Sequence, residues 1–256
     1  MKSRKSFYKD KLRVEIFGEK ENMGRDSADF VYEKLNQAIN EKGSANLILG
    51  TGASQYPLHE SLLEKDLDWT KINLFHLDEY IGLSEQHPAS FRKFLKERIA
   101  DKVNPKNVFY IHGDANDIDA EIRRYEKLLK DHPVDVACIG IGENGHIAFN
   151  DPGTADFNDP QYLKVVKMDE ACRKQQVGEG WFPTIHDVPD KAVTLTITAI
   201  MGCKALCCTV PDERKSEAVY NTLSGGITPD CPASILREHD NAVLFLDRFA
   251  AIRINN

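Results

Sequence analysis

Between Gly140 and Pro152 the chain reads Gly-Ile-Gly-Glu-Asn-Gly-His-Ile-Ala-Phe-Asn-Asp-Pro, a glycine-punctuated loop that follows an apolar run and presents a histidine and a carboxylate. Two earlier runs end alike. Asn46 to Gly50 leads into Thr51-Gly52-Ala53-Ser54, and Ile72 to Leu77 leads into Asp78-Glu79-Tyr80-Ile81-Gly82. Polar side chains gathered at the carboxyl ends of several strands mark the ligand-binding edge of an open α/β sheet. The three loops therefore predict a reaction site rather than simple connectors.

Further strand-like runs at Leu12 to Phe17, Val134 to Ile141, Ala192 to Thr196, Ala205 to Val210 and Ala242 to Leu246 are separated mostly by helical patterns. In the stretch from Asn22 to Lys42, Val31, Leu35, Ala38 and Ile39 share one stripe and Gly43 supplies a stop. Ile118 to Lys130 turns Ile122, Tyr125, Leu128 and Leu129 inward and Arg123, Arg124 and Lys127 outward. The alternation predicts an α/β, Rossmann-like fold: an open, mostly parallel sheet with helices on both faces. No repeat or linker interrupts it, so one domain over residues 1–256 is expected. The span from Pro152 to Pro189 lacks clean periodicity and reads as a lid or binding element.

A formal charge of −7 without a dense Lys/Arg stripe argues against a nucleic-acid partner, whose binding rests on neutralising many phosphates. A small anionic substrate is compatible, because a pocket can be basic on an acidic surface. The basic start, Met1 to Lys9, leads into no apolar segment, and no later run approaches the roughly 18 apolar residues of a membrane helix. No membrane partner is expected, and the compartment expected is the cytoplasm. The six cysteines include no Cys-x-x-Cys pair and sit mainly in apolar stretches, which fits reduced thiols. Cys203 and Cys207 read as part of a buried strand rather than as metal ligands, and no metal or other cofactor is expected.

Each candidate site residue has a bland alternative. Thr51, Gly52, Ala53 and Ser54 let backbone N–H groups approach an anion ahead of the helical pattern from Tyr56, which suits a phosphate; alone, the loop reads equally well as a tight turn. It is no Walker A loop, since no Gly-Lys-Ser/Thr follows. Asp78 and Glu79, adjacent in an extended segment, point opposite ways, so one faces the pocket while the other pairs with a base or caps a helix. His146, exposed by Gly142 and Gly145 and followed by Asp151, has the makings of a general acid/base whose tautomer a carboxylate fixes. Lys215, just after the run ending at Val210, could meet a phosphate held by the Thr51 loop, or be an ordinary exposed helix lysine.

Taken together, these segments resemble the glucosamine-6-phosphate deaminase (isomerase) family, within the wider group that includes 6-phosphogluconolactonases. The resemblance runs over nearly the whole chain: Leu-Gly-Thr-Gly-Ala-Ser, Leu-Asp-Glu-Tyr-Ile-Gly-Leu with His87-Pro88-Ala89-Ser90-Phe91, Gly-Glu-Asn-Gly-His-Ile-Ala-Phe-Asn-Asp-Pro, Arg-Lys-Ser-Glu-Ala and Pro-Ala-Ser-Ile-Leu. The Asp-Glu-Tyr and Asn-Asp-Pro endings side with the deaminases rather than the lactonases. The resemblance implies a phosphosugar substrate, most directly glucosamine 6-phosphate converted to fructose 6-phosphate and ammonia, without a cofactor. Galactosamine 6-phosphate, a lactone, and a non-catalytic sugar-phosphate sensor stand as alternatives. It further implies that Asp78 moves a proton between C2 and C1, and that His146, aided by Asn144 and Asp151, opens the sugar ring. Asn144 and Asp151 stand where many members carry Asp and Glu. The family's phosphate-binding arginine aligns near Gln176, and if that stretch is helical Arg173 lies one turn back as its substitute. A homo-oligomer stays open.

Overall fold

Along the central strands, burial alternates between two apolar clusters on a period of two. Leu47 and Leu49, Val136 and Cys138, Cys207, Val243 and Phe245 pack on one side; Ile48, Ala137 and Ile139, Leu206 and Cys208, Leu244 and Leu246 pack on the other. A sheet apolar on both faces must be covered on both, and helices do so.

The computed structural model describes residues 4–254. The first residues of the basic start and the last two of the expected 1–256 domain lie outside the described residues. In chain order the elements begin with β1 (Arg4–Lys9) and β2 (Leu12–Phe17), then α1 (Lys20–Lys42), β3 (Ala45–Leu49) and α2 (Tyr56–Leu63). There follow β4 (Ile72–His76), β5 (Asp78–Tyr80), α3 (Phe91–Leu95), β6 (Asn107–Val108), α4 (Ile118–Asp131) and β7 (Val136–Ile139). The rest comprises β8 (Leu163–Lys167), α5 (Glu170–Gly178), β9 (Lys191–Leu195), α6 (Ile197–Met201), β10 (Leu206–Val210), α7 (Ser216–Ser224) and β11 (Ala242–Asp247).

Eight strands form the main sheet in the order β1-β2-β11-β10-β7-β3-β4-β6, parallel throughout except for the β1–β2 hairpin. Helices α1 and α2 supply one cover, through Val31, Leu35, Leu58 and Leu62. The other cover takes Tyr125 and Leu129 from α4, Ile200 from α6, and Val219 and Leu223 from α7. The sheet and its two covers match the expected α/β class.

Two expectations are corrected. The run near Ala192 to Thr196 does not join the main sheet: β9 pairs antiparallel with β5 and β8 in a separate three-stranded sheet. In sequence it resembles one more parallel strand, because an apolar run carries no record of its partner. The span from Pro152 to Pro189 is not an unbroken loop; it contains β8 and α5. Asp169 caps α5, its side chain accepting from Cys172 N at 2.6 Å, a start signal that weak apolar periodicity hid.

The small sheet exists because the chain changes sheets after β4, and His76 holds that corner. Its Nδ1 lies 2.9 Å from the Asp78 carbonyl and its Nε2 accepts from Ile111 N at 2.8 Å, an arrangement that only the neutral ring protonated at Nδ1 satisfies. Tyr125 braces the same corner: its hydroxyl accepts from His76 N at 3.0 Å and donates to His76 O at 2.9 Å. Burial drives the pKa of His76 down to about 3, only partly offset by the bond to Asp78. His59 on α2 is also fully enclosed with neither ring nitrogen hydrogen-bonded; burial, with help from the nearby Arg98 charge, drives it down to about 3 as well.

Both rings are neutral in the fold, whereas in the unfolded chain they take a proton near pH 6.5. The unfolded state therefore binds more protons below that pH, and stability falls from about pH 6.5 toward pH 3. Thermal melts should show a Tm lower at pH 5 than at pH 7. His59→Leu, which removes two unpaired nitrogens, should shrink that drop; an unaltered drop would take His59 out of the account.

Candidate active site

At the carboxyl ends of the central strands lies a cleft of about 660 Å³, open mouth included, floored by the three loops singled out above. The first follows β3. Gly50, Thr51 and Gly52 enter a short 3-10 turn at Ala53–Gln55 that runs into α2, so backbone N–H groups and the helix N-terminus face the cleft. Gln55 pins the loop beneath: its side-chain amide donates to Ile139 O at 3.2 Å and Thr209 O at 3.4 Å, tying it to the ends of β7 and β10.

The second loop carries the two acids. In β5, Asp78 and Tyr80 point one way and Glu79 the other, as an extended backbone requires. Asp78 lines the cleft. Burial, and then the charge of Glu79, raise its carboxyl well above the ordinary range. Glu79 is turned away and fully buried, where it caps α3: Phe91 N and Arg92 N donate to it at 3.2 and 3.0 Å, Ser90 Oγ at 2.8 Å, and Arg92 Nε at 3.3 Å. The division of labour between the adjacent acids is the one their alternation predicted.

The third loop presents His146. The Nδ1 of its ring sits between two acceptors, Asn144 Oδ1 at 2.7 Å and Asp151 Oδ1 at 3.0 Å, so Nδ1 carries the proton and Nε2 is the free edge. Asn144 is held in that orientation by its amide nitrogen, which donates to Asp151 Oδ1 at 3.0 Å and Asp169 Oδ2 at 3.2 Å. Burial works to raise the carboxyl of Asp151, but the bond to His146, the charge of that ring and the bond to Asn144 outweigh it and leave the group below its usual range. The glycines are sterically required. A Cβ on Gly142 would stand 2.1 Å from His146 Cε1, and Gly145 has φ of +87°. Asn150 fastens the far end, donating to Ile147 O at 2.9 Å and Leu195 O at 2.8 Å.

Lys215 enters from the turn between β10 and α7, buried to 5% exposure, and forms no ion pair among the described residues. Burial lowers its pKa, partly countered by Glu179 and Glu143. A cation so desolvated gains from an incoming anion. Arg173 does not join it. Its guanidinium donates to Ile185 O at 2.6 Å and Val188 O at 3.1 Å, away from the cleft, so the expected phosphate contact is corrected to a brace for the 181–188 segment. Helix α5 sends Gln175 and Gln176 to the cleft instead, followed by Glu179 and Trp181. Of these, Gln175, Glu179 and Trp181 escaped sequence reasoning; the Asp169 cap was the available signal. Thr51, Gly52, Ala53, Ser54, Asp78, His146 and Lys215 all line the cleft, while Asn144 and Asp151 stand behind the imidazole.

The family model described as glucosamine-6-phosphate isomerases/6-phosphogluconolactonase matches residues 18–245. The chain belongs to this family. Among its relatives, a glucosamine-6-phosphate deaminase from Streptococcus suis (strain 05ZYH33) is 36% identical over 226 residues, covering 88% of this chain and 92% of the relative. One from Exiguobacterium sp. (strain ATCC BAA-1283 / AT1b) is 37% identical over 229 residues, covering 89% and 88%. A solved structure of a monomeric glucosamine-6-phosphate deaminase superposes with a TM-score of 0.86 at 32% identity, covering 93% of this chain and 98% of that one. A 6-phosphogluconolactonase from Thermotoga maritima, 20% identical with a TM-score of 0.75 over 92% and 99% of the two chains, shares the fold.

Gly142→Ala is expected to push the imidazole off its seat. A displacement of about 1 Å at a proton-transfer group costs on the order of 100-fold in turnover, with the Tm little changed because the loop is near the surface of the cleft. Steady-state kinetics beside a melting curve checks this; full activity would mean that the ring has another way to sit.

Proposed function

We propose that this protein is an aldose-ketose isomerase and deaminase that converts glucosamine 6-phosphate and water to fructose 6-phosphate and ammonia. One observation carries the reading: a single cleft unites the buried carboxylate of Asp78 with the free Nε2 edge of an imidazole held from behind by Asn144 and Asp151. The relatives bearing the deaminase name over most of their length support the choice of amino sugar.

The reaction needs three proton-handling steps. His146 moves a proton between the anomeric hydroxyl and the ring oxygen, which opens the hemiacetal to the free aldehyde. Asp78 then takes the hydrogen from C2, giving an enolamine, and returns it to C1, so that C1 becomes a hydroxymethyl group and C2 an imine. Water adds at C2, the carbinolamine collapses, and ammonia leaves. A carboxylate drawn out of water is a stronger base than one in bulk, so burial of Asp78 helps the C2 step. The phosphate rests against the backbone of Thr51, Gly52, Ala53 and Ser54 and the ammonium of Lys215, which anchors the substrate's far end and leaves C1 and C2 toward Asp78 and His146. In this reading the chain works as one catalytic domain. The compartment we infer is the cytoplasm, where its six free cysteines would stay reduced.

Ammonia release assayed with glucosamine 6-phosphate, galactosamine 6-phosphate and, for acid release, 6-phosphogluconolactone tests the reading; lactone hydrolysis alone, or ligand binding without turnover, would overturn it. Asp78→Asn should lower kcat by about 100- to 10,000-fold, the share ordinarily carried by a positioned base. Lys215→Ala should raise KM by about 10- to 100-fold with kcat largely kept, matching about 1.5–3 kcal/mol for a charge-assisted contact. The base must be ionised, and its pKa is raised, so kcat/KM should fall with decreasing pH at a higher pH than an ordinary carboxylate would dictate. A profile flat down to the ordinary carboxylate range of about 4 would exclude Asp78 as that base.

A further inference from the structure

Behind His146 stands a thiol that the proposed reaction does not use. Cys172, in the first turn of α5, is buried, and its Sγ, one ring nitrogen of His146 and a carboxylate oxygen of Asp151 all lie within 4.8 Å of one another. Two come from the His146 loop and the third from α5, and each supplies a ligand that a borderline-soft cation accepts: thiolate, imidazole and carboxylate. A second observation points to a missing partner. Asp151 is 1% exposed, and while its Oδ1 bonds His146 and Asn144, its Oδ2 has no well-formed hydrogen bond among the described residues, the Asp169 backbone N–H acting on the carboxylate only weakly. A buried carboxylate oxygen so poorly paired is uncommon and leaves room for a further partner.

We propose that His146, Asp151 and Cys172 form an inhibitory site for a thiophilic divalent cation, with zinc as the fitting ion, and that occupancy switches the enzyme off. The proposal rests on His146 acting in the reaction, as argued above. With bonds of about 2.0–2.3 Å, a tetrahedral zinc ion spaces its ligand atoms roughly 3.3–3.6 Å apart, so donors as far apart as 4.8 Å need close in by only about an ångström, while His146 Nδ1 and Asp151 Oδ1, 3.0 Å apart, open slightly. A water molecule takes the fourth position. Binding breaks the Cys172 S–H bond, forms a Zn–S bond and releases one proton to solvent; the proton on His146 Nδ1 shifts to Nε2 so that Nδ1 can form its Zn–N bond, and no oxidation state changes. The thiol is held protonated by burial and by the neighbouring Asp151 and Asp169 charges, so without the metal it is neither nucleophile nor base. Those same acids favour the arriving cation. The imidazole, once bound to metal or locked beside it, can no longer pass a proton to the sugar. Asp169 and Asn144 complete an outer layer around the site, Asn144 bridging Asp151 and Asp169. Magnesium, which prefers six oxygen ligands, should not bind.

The test uses the full chain freed of metal by chelation. Cobalt(II), a spectroscopic stand-in for zinc, should give a thiolate-to-cobalt charge-transfer absorption in the near ultraviolet that Cys172→Ala abolishes and excess zinc displaces. In parallel, zinc should inhibit ammonia release reversibly, with inhibition lifted by EDTA, absent with magnesium, and weakened at least about tenfold in Cys172→Ala. Cys172→Ser, which keeps the packing, serves should the alanine variant fold poorly. If the charge-transfer band persists without Cys172, or if the variants stay equally zinc-sensitive, the proposed site is wrong. Should the cobalt band depend on Cys172 while zinc leaves turnover unaltered, the metal site stands and the role given to His146 falls.

Discussion

The arrangement of the cleft depends on one buried carboxylate that is turned away from it. Glu79 sits with no solvent exposure between β5 and α3, accepting from Tyr80 N, Ser90 Oγ, Phe91 N, Arg92 N and Arg92 Nε. Burial pushes its carboxyl up, and the converging donors push back. Arg92 is itself 3% exposed and spends its other nitrogens on Asp114 Oδ1 at 2.8 Å and Leu83 O at 2.9 Å. Removing one member of such a buried pair strands the other and costs about 3–5 kcal/mol, a large share of the roughly 5–15 kcal/mol that holds a whole domain together. Because residues 78 and 79 are neighbours in an extended strand, fastening Glu79 on one face aims Asp78 at the other.

The site's electrostatics follow from the same enclosure. Asp78 is drawn out of water and its charged form disfavoured, while Lys215 suffers the opposite shift for the same reason. Neither is neutralised by an ion pair with the other or with a neighbour. The two desolvated groups of opposite sign line one cleft, which a substrate carrying an anion at one end and a proton to give up at the other would relieve together under the proposed reading. The Asp151–His146 pair differs: there a direct bond outweighs desolvation, and the carboxylate holds the ring in one tautomer.

Much of this was legible in the sequence, and the exceptions share a cause. Parallel strands buried on both faces leave continuous apolar runs, so β2, β3, β4, β7, β10 and β11 announced themselves, as did the loops at their ends. The pair Asp78-Glu79 was readable because alternation in an extended segment is a local rule. By contrast, β5 is three residues long and β8 is half exposed, so neither has a hydrophobic signature; β9 has one, but one partner, β5, lies more than a hundred residues upstream and the other is β8, which has no such signature. Arg173 was misjudged for a related reason. That α5 is helical could be argued from sequence, but the two carbonyls at Ile185 and Val188 that capture its guanidinium belong to irregular backbone whose path no periodicity records.

Helix α5 thereby joins functions that the sequence keeps apart. Its cap residue Asp169 accepts from Cys172 N and, through Asn144, braces the His146–Asp151 pair. One turn on, Arg173 ties the helix to the 185–188 backbone, and Gln175, Gln176 and Glu179 form a wall of the cleft. Tyr80, two residues past Asp78 on the same strand face, donates to Gln176 Oε1 at 2.8 Å, so the helix is also bonded to the strand that carries the base. A movement of α5 would therefore change the support of the imidazole, the shape of the wall and the strand beside Asp78 together. The helix is nine residues long, and its polar ties stand beside an apolar contact, Cys172 and Val177 packing into the cluster of Tyr80, Phe149 and Phe182. The cleft thus has one face built on the parallel sheet, which carries the Thr51 loop and Lys215, and one face built on α5 and its cap, which hydrogen bonds join to the His146 loop and to β5.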